Sequence, residues 1–145
     1  MGPTQFNRTV LRGDTLFFLD QVYQDVATKE LFTLPVTNPP SQPRPGSAPF
    51  NLTGAEIWFT AKYYRPDADN RAVWLLNTAA LGGVAITNAA IGTFSVTGPA
   101  IATVGFPDGT VSLASDIQVK DATGRLTTVE QGTLAVSPDV TRATA

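Results

Sequence analysis

The residues able to do chemistry are few. The chain has neither histidine nor cysteine, which removes the usual general base, the thiolate nucleophile and the commonest metal ligands. It also excludes disulfides. Ser, Asp, Glu and Lys remain, but no nucleophile elbow, phosphate loop or acidic pair stands out. Ser112 and Ser115 lie in a regular alternating stretch, which suits packing better than nucleophilic attack. Asp67-Ala68-Asp69-Asn70 has the opening of a calcium loop, yet Arg71 and Val73 stand where later oxygen ligands are needed. The expectation is a non-enzymatic chain with no cofactor and no metal.

Three further motifs bear on binding. Arg12-Gly13-Asp14 matches an adhesion triplet, but Gly-Asp is ordinary turn chemistry between strands. Asn51-Leu52-Thr53 fits the glycosylation pattern, which matters only in a secreted chain. Trp58, Tyr63, Tyr64 and Trp74 could form an aromatic platform for a sugar. Their plainer reading is core and subunit contacts, where aromatics dominate the energetics. Trp58, Arg44, Trp74 and Tyr64 are the residues expected at an interface.

The elements that position these residues are strands. Positions 110–120 alternate without a break: Val111, Leu113, Ser115, Ile117 and Val119 share one face, and polar residues share the other. Asp121-Ala122-Thr123-Gly124 supplies a turn. The returning strand changes parity between Val129 and Leu134, so a bulge is expected at Gly132. In residues 55–64, Ile57, Phe59, Ala61 and Tyr63 form an apolar face, with Trp58 and Tyr64 outward. Asp20 falls on the face of Leu16, Phe18 and Val22. Either it marks a bulge, or Phe17 and Leu19 face the core and a partner covers the other face; the pattern leaves both open. Residues 26–49 hold six of the eleven prolines. They read as an extended loop or arm (26–50) rather than a central strand. Pro138 ends regular structure and residues 138–145 form a polar tail. Many short strands punctuated by Gly, Pro and Asn indicate an all-β sandwich of two antiparallel sheets in a single domain, residues 1–145.

Composition narrows the partners. Of 145 residues, 43% are hydrophobic and only 15% charged, against about 25% charged in an ordinary domain. Such a surface is expected to be covered by neighbours. A net charge of −2 gives no electrostatic case for nucleic acid or an anionic membrane. No apolar run approaches the roughly 20 residues of a membrane span, and the first residues lack the apolar core of a secretory signal.

Several pieces in order resemble the immunoglobulin-like domain of tailed-bacteriophage structural proteins, above all the N-terminal domain of phage baseplate upper proteins. They are Arg12-Gly13-Asp14-Thr15, Asn51-Leu52-Thr53-Gly54-Ala55 with Phe59-Thr60-Ala61-Lys62, and Gly83-Val84-Ala85-Ile86-Thr87 before Gly92. Ser115-Asp116-Ile117-Gln118-Val119 follows, then Thr128-Val129-Glu130-Gln131-Gly132-Thr133-Leu134-Ala135-Val136 and Asp139-Val140-Thr141. The proline-rich insertion is longer than the family's early hairpin, which also admits a neck or head-decoration role. The resemblance implies a virion component (tail, baseplate, neck or capsid-associated) made in a bacterial host's cytoplasm. It would assemble with other virion proteins in symmetric multiple copies. A carbohydrate-binding or host-adhesion module of the virion is the alternative.

Overall fold

Among the described residues the chain forms eleven strands, the longer ones with apolar residues at every second position, and two sheets stack to bury them. The computed structural model describes residues 4–37, 43–66, 72–103, 106 and 109–138. The strands are β1 (Thr4–Gln5), β2 (Arg8–Leu11), β3 (Leu16–Asp25), β4 (Leu31–Pro35), β5 (Ser47–Pro49) and β6 (Glu56–Lys62). The rest are β7 (Trp74–Asn77), β8 (Val84–Asn88), β9 (Thr93–Gly98), β10 (Val111–Lys120) and β11 (Leu126–Ser137). One sheet runs β1–β11–β10–β6–β7, with β2 also on β11; the other runs β4–β3–β9–β8, with β5 also on β3. Pairing is antiparallel except for β1 and β2, which join β11 in parallel. The result is an all-β sandwich.

The core lies where the two inner faces meet. Ile57, Phe59 and Ala61 of β6 and Leu113, Ile117 and Val119 of β10 are buried against Leu16, Val22, Phe94 and Val96 of the opposite sheet. Phe18 meets Phe59 across the gap edge to face, with centroids 5.4 Å apart. Each such side chain contributes about 1.5–3 kcal/mol of hydrophobic stabilisation. Val111, on the same face at the strand's start, is only half-buried.

Three expectations need correction. The bulge lies at Val129, not Gly132: Ile117 pairs with Glu130 and Gln118 with Thr128, so Val129 has no partner in the ladder. Val129 and Glu130 consequently both point inward. Gly132 serves a different need. A Cβ there would sit 1.6 Å from the Phe6 carbonyl oxygen, so only glycine lets the N-terminal segment approach β11.

The segment read as a loop over 26–50 contains β4 and β5. Leu31, Phe32 and Thr33 are buried, and both strands pair with β3. Proline still obeys its rule, since Pro35 and Pro49 close strands at the sheet's margin. Pro39 and Pro40 lie outside the described residues.

Tyr63 leaves the apolar face of β6, which ends at Lys62. It is exposed and packs on Phe106 with centroids 5.8 Å apart.

Candidate functional site

The expected interface residues do not gather in one place. Trp58 projects from the outer face of the first sheet into a shallow groove of about 450 Å³, beside Thr60, Gln118, Lys120 and Leu126. Tyr64 follows β6 and is 71% exposed. Trp74 corrects the expectation: it is 2% exposed, within the core. Its Nε1–H donates to the Pro99 carbonyl at 3.2 Å. Gly98 makes room for the indole, because a Cβ there would meet Nε1 at 2.7 Å. Trp74 therefore cannot be a surface anchor, and the four-aromatic platform does not form. Arg44 holds its guanidinium 3.7 Å above the centre of the Phe32 ring, so this residue is engaged within the chain.

The adhesion triplet is a turn. Asp14 N–H donates to the Leu11 carbonyl, and Gly13 takes a φ of 83°. Arg12 is buried, with Nη1 donating to the Phe106 carbonyl at 3.1 Å. Ser115 is buried in β10, as its alternation required. Asp67 and Asp69 lie outside the described residues. Among the described residues, no three His, Cys, Asp or Glu side chains come together as a metal site.

The most unusual chemistry in the molecule is a buried ionic cluster that the sequence pattern did not reveal. Arg8 of β2, Asp20 of β3 and Glu130 of β11 meet at the seam between the sheets, with side chains 9%, 1% and 3% exposed. Arg8 Nη2 donates to Asp20 Oδ2 at 2.7 Å and to Glu130 Oε1 at 3.2 Å. Its Nη1 donates to Glu130 Oε2. The Thr33 hydroxyl of β4 donates to Glu130 Oε1 at 2.8 Å. The guanidinium is also packed between rings, 3.7 Å from the Phe18 centroid and 4.6 Å from that of Phe6. The cluster ties four strands from both sheets.

Burial sets the electrostatics. For Asp20, burial raises the pKa well above the ordinary carboxyl range, the charge of Glu130 raises it further, and Arg8 offsets only part. For Arg8, burial alone would lower the pKa, but the hydrogen bond to Glu130 and the charges of both carboxyls make the net shift upward.

Two signals for the cluster were present in the sequence. Asp20 interrupted an otherwise apolar face, and Glu130 falls on the even-numbered face of Leu134 and Val136. Misplacing the bulge at Gly132 hid the second signal, because it left Glu130 facing outward. The arrangement can hold charge, order strands and bind a proton. Aromatic rings flank it, and Arg8 and Asp20 also border a surface groove of about 390 Å³ shared with Phe6, Phe17 and Val36.

A comparison with protein-family models finds no match for this chain. A comparison with curated protein sequences finds none either.

Proposed function

We propose that this chain is a non-enzymatic structural component of a tailed-bacteriophage virion, with an immunoglobulin-like sandwich that assembles with other virion proteins. The motif resemblance supplies the class. The observation that carries the assembly role is an apolar strip on the outer face of the second sheet. Phe17 is 60% exposed, and Leu19 and Val36 beside it are exposed too. The Val36 N–H bonds to the Leu19 carbonyl, which makes the strip continuous across β3 and the end of β4. Outward Phe and Leu at neighbouring positions on a regular strand cost solubility, and contiguous exposed apolar surface marks interaction sites.

The test is a chain carrying both Phe17→Ser and Leu19→Ser. It should melt within a few degrees of the unaltered protein, yet fail to co-sediment with particles from a density gradient. Equal incorporation of the double variant would refute the assembly surface. Absence of the unaltered chain from purified particles would refute the virion role.

A second reading, a carbohydrate-binding module, is favoured by the Trp58 groove alone. An indole flanked by Thr60, Gln118 and Lys120 combines a flat apolar floor with polar groups that fix orientation. Binding of host polysaccharide that is lost in Trp58→Ala, with assembly intact, would favour this reading over the first.

A further inference from the structure

At the seam between the sheets the charges do not balance. Two carboxyl groups, Asp20 and Glu130, face one guanidinium, Arg8, and all three side chains are at least nine-tenths out of water. Glu130 is well served: Oε1 accepts from Thr33 and Arg8, and Oε2 from Arg8. Asp20 is not. Its Oδ2 accepts from Arg8, but Oδ1 is buried and, among the described residues, accepts no hydrogen bond. A bare carboxylate oxygen in that position loses its hydration and gains nothing in return. A proton on Oδ1 removes the problem, because it turns an orphaned acceptor into a donor beside a second carboxyl group. Two buried carboxyls this close do not both ionise readily.

Among the described residues, Asp20 has no second counter-charge. The charged groups facing Asp20 are Arg8 from β2 and Glu130 from β11. From β4 the cluster gains only the Thr33 hydroxyl. From β9 the residue paired with Asp20 is Phe94, which carries no charge.

We propose that Asp20 holds a proton beside the Glu130 carboxyl group, and that this proton latches the N-terminal strands β1 and β2 onto the sandwich. Those strands are short, held otherwise by Val10 in the core and by the Thr133 N–H donating to Asn7 Oδ1. They are two and four residues long and pair in parallel along one edge of β11. The Thr4 hydroxyl adds a bond to the Thr33 carbonyl. With the proton in place, the cluster holds one positive and one negative charge. When it leaves to solvent, a second buried negative charge appears, and the one guanidinium of Arg8 must offset both. Lifting β2, and with it Arg8, admits water to the cluster at the cost of the strand bonds to β11 and the exposure of Val10. The edge of β11 is then open. Burial and the neighbouring Glu130 charge both strengthen proton binding at Asp20, which moves the release above the ordinary carboxyl range.

Amide hydrogen exchange on the full chain at pH 6 and pH 9, corrected for intrinsic rates, tests the latch. The Phe6 and Arg12 amides, which donate to the Gln131 and Ser137 carbonyls, should lose protection by about tenfold or more relative to the amides of β10. Tenfold corresponds to one unit of proton linkage. Asp20→Asn keeps a neutral donor beside Glu130 and should abolish the pH dependence. Glu130→Gln leaves one carboxylate for one guanidinium and should abolish it too, which covers the case where the Asn variant fails to fold. Equal relative protection at the two pH values in the unaltered chain would overturn the proposal. So would a pH dependence that survives in a folded variant, or a carbon-13 carboxyl shift showing Asp20 ionised at pH 6.

Discussion

Single residues in this sandwich carry either packing or charge. Ile117 is the clearest packing residue: it is fully buried in the middle of β10, paired with Phe59 on one side and Glu130 on the other. Ile117→Ala should cost about 2–5 kcal/mol, the range for a large-to-small change in a rigid core. Chemical denaturation measures it, and an unchanged midpoint would mean the site collapses around the loss. Asp20 is the clearest charge residue. Its folded pKa is raised, so the folded chain holds a proton that the unfolded chain releases near pH 4. Its stabilisation is therefore complete below that pH and is lost as pH rises through the folded value. The slope approaches about 1.4 kcal/mol per pH unit for one proton. Asp25 and Asp121 act in the opposite direction. The Thr28 amide lowers the pKa of Asp25 and the Thr123 hydroxyl that of Asp121, so their contributions are present above the unfolded value and fade in acid. A series of denaturation midpoints from pH 4 to 9 should fall with rising pH in the unaltered chain and stay nearly level in Asp20→Asn. A rising series would contradict the sign.

At the scale of elements, what was legible in the sequence was whatever local periodicity determines. β10, β6 and β9 were readable because their faces alternate in burial along the strand. β4 and β5 were not, because proline density masked short strands that exist only by pairing with β3. The ionic cluster was illegible for a related reason. Its members are separated by 12 and 122 positions, and no local pattern brings them together. Trp74 was misplaced because a four-residue strand has too few positions to show which face is dry. The corrected role of the 43–50 stretch carries its own expectation. Arg44 covers Phe32, and the Val26 N–H bonds to the Gly46 carbonyl, so this stretch closes over the second sheet. Arg44→Ala should lower stability by about 0.5–2 kcal/mol, the range for a cation over a ring. No change in melting, with lost assembly, would return Arg44 to the role of an outward anchor.

Across the whole molecule, the first and last described strands are neighbours. β2 lies parallel to β11 in register from Arg8 with Leu134 to Leu11 with Ser137, and β1 joins the same strand at Glu130 and Gln131. The first sheet is therefore incomplete until nearly the full chain has been gathered. The second sheet also needs distant partners, since β3 pairs with β9 over Leu16–Gly98 to Gln21–Thr93. Closing such loops costs entropy before any contact offsets it. Folds dominated by distant pairing accordingly refold in milliseconds to seconds rather than microseconds. Refolding after a denaturant jump, followed by fluorescence of Trp74 as it enters the core, should fall in that range. Removing residues 1–7 should alter this rate little, because the Trp74 site and the β10–β11 hairpin form without them, and should speed unfolding instead. That asymmetry is expected when an element docks after the rate-limiting step. A truncation that slowed folding by the full loss of stability would instead place the N-terminal strands in the folding nucleus, with the seam forming first and the hairpin closing onto it.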